Sequence, residues 1–508
     1  MLELIKLREP TLLFGHNQAL EDPRDGLTLF GPLDTGKPYG VRMGVIGTQD
    51  GIEQFVRWVA RVQGFVADYP ARVARPPFPG FEEVFGIPWR PNPDIVIEFS
   101  REELNQHLYI GDRHQRVYRT VEFFTERILE ATRKEDARVD LWFVIVPDDV
   151  YKYCRPQSNV EANLKREAPQ QTLLKMTSRR AKKLHTQPSM FPEDHAAAQA
   201  YEYDVHFRNQ LKARLLKSEI LTQVIREGTV AYDEATGLYG THKRPLTNLQ
   251  SNIAWNICSG VFYKVGGRPW KLGNIREGVC YIGLVFKQDE KSRDPRSSCC
   301  AAQMFLDSGD GVVFKGAVGP WHTPGRGEYH LSRDAARDLI QIAIAEYKKD
   351  KGGPPRELFI HGKVNFQNEE WDGFQDAIDP SVTRLVGVRI RDELNLKVYT
   401  RAKQPMLRGM ALMKDDRNAY LWTKGYTPRL QTYIGREVPK PLAVTITRGS
   451  ADIEMVLRDV LSLTKLNYNT CMFADGDPVT LKFADAIGEV LTAGPLDAIP
   501  PLPFRYYI

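Results

Sequence analysis

Two strand-length runs in this chain are continuously apolar, LWFVIVP at 141–147 and CYIGLVFK from 280 to 287. A strand without alternating polar positions has no face to offer water, so each run belongs inside a sheet covered on both sides. Helical patterns lie between such runs. GIEQFVRWVARVQGF places Phe55, Val56, Val59 and Val62 on one face, and further helices are expected near 114–133, 204–218, 249–264, 332–349, 450–463 and 479–492. Strands alternating with helices imply a doubly wound, parallel α/β sheet in the first part. A new series of strands, VCYIGLVFK, CCAAQMFLD, GVVFKGAV and ELFIH, with helices following, implies a second layer resembling ribonuclease H. The boundary between them falls near 275, in GGRPWKLGNIREG, giving units of 1–275 and 276–508.

The 508 residues suffice for two or three domains with their own cores. With 42% hydrophobic and 26% charged residues the composition is that of a globular protein. No apolar run approaches the ~20 residues of a membrane span. MLELIKLREP interrupts any secretory core with charges, and the six cysteines lack CxxC spacing. A cytoplasmic, reduced protein without a disulfide framework is expected.

Net charge is +5, but residues 151–274 hold 19 Lys and Arg against 10 Asp and Glu, an excess of nine. The rest is therefore slightly acidic, and the basic middle suits a polyanion as well as a solvated surface. Within it, Arg208 and Lys212 stand four apart on a helix, beside an apolar stripe of Phe207, Leu211 and Leu215. Gln223 follows after a break, and Lys264 ends a helix stopped by Gly266 and Gly267. Convergent cations and an amide suit a terminal phosphate. An i,i+4 basic pair is by itself more often a solvated face. Tyr151, Lys152 and Tyr153 follow LWFVIVP at the carboxyl end of its strand, where open α/β sheets place ligands, or form a loop anchored by two aromatics.

The sequence resembles, nearly end to end, the short prokaryotic Argonautes, which consist of a MID and a PIWI domain. The matching blocks are DPRDGLTLFGPL, WFVIVPDDVYKYCRP, QLKARLL, YKVGGRPWKLG, CCAAQMFLDSGDGVVFKGAVGPW, LTKLNYN, DGDPVTLKFAD and the terminal RYYI. The resemblance implies a Rossmann-like MID sheet within 1–275 and a PIWI domain with the ribonuclease-H-like fold in 276–508. It further implies a guide 5′-phosphate held by Arg208, Lys212, Gln223 and Lys264, with Tyr151 and Lys152 as candidate first-base contacts. Arg208 departs from the commoner His or Tyr, which removes a stacking ring and keeps the charge. The carboxylate of Ile508 and a magnesium ion are implied to complete the pocket, as oxygen ligands suit a hard cation.

Active PIWI domains hold two metal ions with carboxylates. Here Val285 follows Gly283-Leu284, Lys363 follows His361-Gly362, and TKLNYN has neither acid nor His. Val285 and Lys363 are read as degenerate catalytic positions, so no cleavage is expected. Asp307-Ser308-Gly309-Asp310-Gly311 reads as a hairpin turn rather than a calcium loop, Glu369-Glu370 as a helix N-terminal turn, and His361 as a strand-end residue.

The leading expectation is a sensor that binds a 5′-phosphorylated guide, RNA by preference, and a complementary single-stranded DNA target. In the resembling family the output lies in a separate APAZ-domain chain. That partner carries a TIR NADase, with a sirtuin-like or nuclease effector as the alternative, and acts in defence against plasmids or phage. The chain would then be half of a heterodimer that oligomerises on activation. The competing classes are a self-sufficient guided nuclease and a non-guided nucleic-acid-binding scaffold. RPPFPGFEEVFGIPW is read either as part of the partner surface or as core packing.

Overall fold

The computed structural model describes residues 2–68, 72–134, 138–164, 176–187, 189–233, 238–239, 250–273, 276–287, 299–305, 311–315, 321–322, 328–433, 435, 437–495 and 502–508. The first strand, β1 (Glu3–Lys6), finds its partner only late in the chain. A four-stranded sheet forms from β2 (Met43–Gly47), β3 (Ile95–Glu98), β4 (Leu141–Val146) and β5 (Thr222–Arg226), in the order β3-β2-β4-β5 with every pair parallel. All of β4 is buried, because each face meets a different apolar cluster. Leu141, Phe143 and Ile145 face α1 (Gln49–Arg61), where Phe55, Trp58 and Val59 point inward. Trp142, Val144 and Val146 face α2 (Arg113–Lys134) and α3 (Phe207–Leu215). The next helix, α4 (Gln250–Lys264), packs Ala254, Trp255, Cys258 and Phe262 into the α1-side cluster.

The aromatic loop between α1 and β3 is core, which corrects the partner-surface reading of it. Phe78, Phe81, Phe85 and Trp89 are buried, with Phe85 stacked on Phe262 at 4.6 Å and Phe78 edge-on to Trp255 at 5.0 Å. Rings of this size contribute most where every face finds a partner.

The second sheet has nine strands. In chain order they are β1, β6 (Val279–Lys287), β7 (Cys299–Phe305), β8 (Gly311–Lys315), β9 (Glu357–Gly362), β10 (Arg384–Asp392), β11 (Met410–Met413), β12 (Asn418–Leu421) and β13 (Leu442–Arg448). The spatial order is β1-β11-β12-β13-β10-β9-β6-β7-β8. The β6–β9 and β9–β10 pairs are parallel and the others antiparallel. Helix α5 (Arg333–Lys351) covers one face, while α6 (Ile453–Leu463) and α7 (Val479–Leu491) cover the other. This is the ribonuclease-H-like layer, and with the parallel sheet it gives the expected two-layer α/β architecture. The division at 275 does not isolate two units, because β1 extends the second sheet and one apolar core runs from α1 through α4 to α6 and α7.

Buried charges fasten the N-terminal segment to this sheet. Glu9 lies 3.0 Å from Arg408 and 3.0 Å from Lys465, and Arg408 also donates to Thr464 Oγ1 at 2.8 Å. Burial pushes the Glu9 carboxyl up, but the two cations outweigh it and hold the group below its ordinary value. Burial brings the Lys465 ammonium down to about 8 despite Glu9. Removing the shared anion strands two cations away from water. Glu9→Ala should therefore cost about 3–5 kcal/mol, read as a drop in the thermal midpoint, and Glu9→Gln less. An unchanged midpoint for Glu9→Ala would show that the node contributes nothing.

Candidate functional site

Helix α3 sits where it does because Phe207, Leu211 and Leu215 are buried against β4 and α2. That anchoring turns Arg208 and Lys212, one turn apart, toward the junction with the second layer. Lys264 arrives from the last turn of α4. The chain can leave this helix abruptly because Gly266 has φ +105 and a Cβ on Gly267 would stand 2.3 Å from the Phe262 ring.

The four expected residues converge. Lys264 Nζ donates to Gln223 Oε1 at 2.6 Å and to the Thr222 carbonyl at 3.0 Å. Lys212 Nζ donates to the same carbonyl at 3.2 Å and to the main-chain oxygen of Ile508. Gln223 Nε2 donates to the Val224 carbonyl at 3.3 Å. Arg208 is half-buried, with Glu489 of α7 as its nearest opposite charge. Lys212 and Lys264 are only 3% and 1% exposed. Burial drives both ammoniums well below their ordinary value, and repulsion from the neighbouring cations lowers them further. Further negative charge beside these groups would relieve the repulsion.

The apolar tail brings Ile508 here. Phe504 stacks on Phe483 of α7 at 4.0 Å, and Tyr507 and Ile508 are buried in the common core. The junction is closed by Asp204 N donating to the Ala493 carbonyl at 2.9 Å.

Tyr151 and Lys152 lie in a short helix, Asp148–Tyr153, directly after β4. Tyr151 is exposed, with the guanidinium of Arg155 over its ring and that of Arg226 at 4.3 Å. Lys152 turns elsewhere, pairing with Glu161 at 3.1 Å and lying over Tyr153 at 4.7 Å. Two further polar residues sit near these groups: Arg155 lies over the Tyr151 ring, and His206 is within electrostatic reach of both Arg155 and Arg208. Phe207 N donates to the Cys154 carbonyl at 3.2 Å, which draws the two segments together. Burial lowers His206, its charge environment includes Arg208 and Arg155, and its Nδ1 is buried without a hydrogen-bond partner among the described residues. Sequence reasoning passed over both. The available signal for His206 was its place immediately before the first residue of α3.

In the second layer, Val285 is buried between sheet and helix. Helix α7 crosses β6 so closely that a Cβ on Gly283 would lie 1.8 Å from the Thr480 carbonyl oxygen. His361 is buried with Nδ1 3.0 Å from Thr480 Oγ1, and burial holds it down to about 3, so it is a neutral strand-end residue. Lys363 and Lys287 converge on Asp485 of α7, at 3.5 and 2.8 Å, and Lys287 also meets Glu489 at 3.5 Å. In the TKLNYN segment Lys465 belongs to the Glu9 node, while Asn467 binds Asp475 at 2.6 Å. Among the described residues no group of three or more His, Cys, Asp or Glu is arranged to hold a metal ion. Glu369 and Glu370 occupy a helical first turn, with Glu370 buried against His330. Residues 307–310 of the DSGDG turn lie outside the described residues, and Gly311 opens β8.

No protein-family model and no curated protein matches the sequence. Solved structures do match the fold. The structure of Clostridium butyricum Argonaute bound to a guide DNA and a 19-mer target DNA aligns with a TM-score of 0.65 and 16% identity, over 100% of this chain and 55% of that one. The crystal structure of Drosophila Piwi aligns at 0.58 and 12% identity, over 99% and 56%. Aa-Ago with externally bound siRNA aligns at 0.55 and 16%, over 99% and 56%. The chain thus spans about half the length of the structures it matches. Its fold is Argonaute-like, a parallel sheet of the MID kind followed by a PIWI-like ribonuclease H layer.

Proposed function

We propose that this chain is the guide-binding and target-recognising subunit of a prokaryotic defence complex. The observation that carries the proposal is the convergence of Arg208, Lys212, Gln223 and Lys264 with Ile508, two of the cations being buried. A guide 5′-phosphate would supply the further negative charge that three cations beside one Ile508 carboxylate call for. Argonautes of like fold carry a guide DNA with a target DNA in one case and an siRNA in another. An RNA guide would leave its bases free to pair with single-stranded DNA, so that sequence is read by pairing and the protein reads shape and backbone.

Magnesium fits this pocket only as a shared ion. Among the described residues Lys212 donates to the Ile508 carboxylate, so guide phosphates and water would complete the shell. The ion would neutralise phosphate charge. Arg208, Lys212 and Lys264 place the terminal phosphate, and Arg155 with Tyr151 faces the first nucleotide.

Cleavage is not part of this function. The β6 and β9 positions that the family fills with acids hold Val285 and Lys363, and Lys363 is turned to Asp485. The output would come from an APAZ-domain partner with a TIR NADase, or a sirtuin-like or nuclease effector in its place, acting in the cytoplasm. No helix among the described residues is long and apolar enough to cross a membrane.

Losing one charge-assisted contact costs about 1.5–3 kcal/mol, so Lys212→Ala should bind 5′-phosphorylated guide roughly ten- to a hundred-fold more weakly and lose most preference over a 5′-hydroxyl guide. Equal wild-type affinity for the two guides would overturn the pocket assignment. The pH dependence has a defined sign. Phosphate raises lysines that are lowered in the free pocket, so binding takes up protons. Above pH ~7, where the phosphate itself is dianionic, guide affinity should fall as pH rises toward the ordinary lysine value. A flat profile would show that both lysines are already charged when free.

With magnesium or manganese, the guide-loaded chain should leave labelled complementary DNA and RNA intact. A guide-directed product abolished by a substitution in the second layer would contradict the non-cleaving reading. Co-purified with its APAZ-domain partner, the loaded complex should hydrolyse NAD+ only after complementary DNA is added. Activity independent of target would reject the sensor role.

A further inference from the structure

Strands β6, β9 and β10 run parallel and end side by side at Lys287, Gly362 and Asp392, with Lys363 directly after β9. Carboxyl ends of parallel strands are where open α/β sheets meet their ligands. At this edge a cavity of about 310 Å³ is lined by Lys363, Asp392, Lys482 and Asp485. From the same edge the chain leaves β10 and projects as a loop, LNLKVYTRAKQP at 394–405, before returning to β11.

Both ends of this loop are fixed. Glu393 N donates to the Pro441 carbonyl at 3.0 Å, and Asn395 N to Glu393 Oε1 at 3.1 Å. On the return, Tyr426 N donates to the Met406 carbonyl at 2.8 Å and Arg408 N to the Tyr426 carbonyl at 3.1 Å. At the tip Thr400 Oγ1 donates to the Gln404 carbonyl at 2.6 Å, which folds the loop on itself.

Between these anchors Lys397, Tyr399, Arg401 and Lys403 recur at every second position, with no acidic residue from 394 to 405. All four are exposed, Tyr399 at 75%. Nothing in the structure holds their charges, since none of the three cations has a hydrogen bond or ion pair among the described residues. At the same edge Lys287 and Lys363 are neutralised by Asp485 and Lys482 by Asp475 at 2.5 Å, while Arg391 of β10, which lines the cavity, has no ion pair among the described residues. The loop and the neighbouring Arg391 thus present exposed, uncompensated positive charge at this edge.

We propose that residues 397–403 form a contact for the phosphate backbone of the guide–target duplex, with the Tyr399 ring laid against a sugar. The proposal rests on the guide-binding function above and adds the element that grips the duplex away from the guide 5′ end. Interactions of this kind are independent of sequence and strongly salt-dependent.

The test compares the full-length chain with a Lys397→Ala/Arg401→Ala/Lys403→Ala variant, each loaded with a 5′-phosphorylated RNA guide. Affinity for complementary single-stranded DNA is measured between about 50 and 200 mM salt, and a preformed RNA–DNA duplex is titrated in parallel. Guide loading should be unchanged. Target and duplex affinity should fall about ten-fold or more at the lowest salt, and the slope of log affinity against log salt should flatten by about 2–3. Tyr399→Ala should weaken binding without changing the slope, and Tyr399→Phe should retain it. Wild-type affinity and slope in the triple variant would overturn the proposal, as would loss of a co-purifying protein partner with nucleic-acid binding intact. Target binding that ignores the guide would sink the guide-directed function instead, and the duplex arm would still decide the role of the loop.

Discussion

Two ammonium groups share one carbonyl oxygen. Lys212 from α3 and Lys264 from α4 both donate to Thr222, at the start of β5, and Lys212 reaches Ile508 at the far end of the sequence. Cations so enclosed are costly unless something anionic answers them. The surrounding architecture supplies the enclosure. The parallel sheet fixes Thr222 and Gln223, the apolar stripe of α3 fixes Lys212, and Phe504 on Phe483 seats the tail. The pocket belongs to neither layer alone, and the common core that runs between them keeps its parts in register.

The second layer balances its charges locally at the carboxyl ends of β6 and β9. Asp485 of α7 remains near the carboxyl ends of β6 and β9, but it faces the ammoniums of Lys287 and Lys363. Charge balance at this edge is achieved with side chains alone. On the loop after β10 the exposed cations have no such partner among the described residues.

Much of this was legible in the sequence, for identifiable reasons. LWFVIVP read as a strand buried on both faces because six consecutive apolar residues leave no alternative, and β4 is such a strand. The helix positions followed from period and caps. Arg208, Lys212, Gln223 and Lys264 were named from a matching pattern, whose spacing alone did not distinguish a pocket from a solvated face. What remained hidden was set by contacts distant in sequence. Nothing local says that Lys152 prefers Glu161, that His206 comes within electrostatic reach of both Arg155 and Arg208, or that the aromatics at 78–89 fill a core against α4. The side that β1 would choose was equally invisible, since a four-residue strand carries no address for its partner.

That strand has a consequence for how the protein comes to exist. Glu9 and Arg408 are separated by 399 positions, and β1 pairs with β11 just beyond. At a synthesis rate of about 5–20 residues per second, the N-terminal segment waits on the order of tens of seconds before its neighbours emerge from the ribosome. During that interval Leu2, Leu4 and Ile5 have no sheet to join, and Glu9 has no cation to neutralise. The parallel sheet can fold meanwhile, since its four strands end by Arg226. Final closure therefore joins segments 399 positions apart, and the second sheet gains its outer strand only once Met410–Met413 has been made.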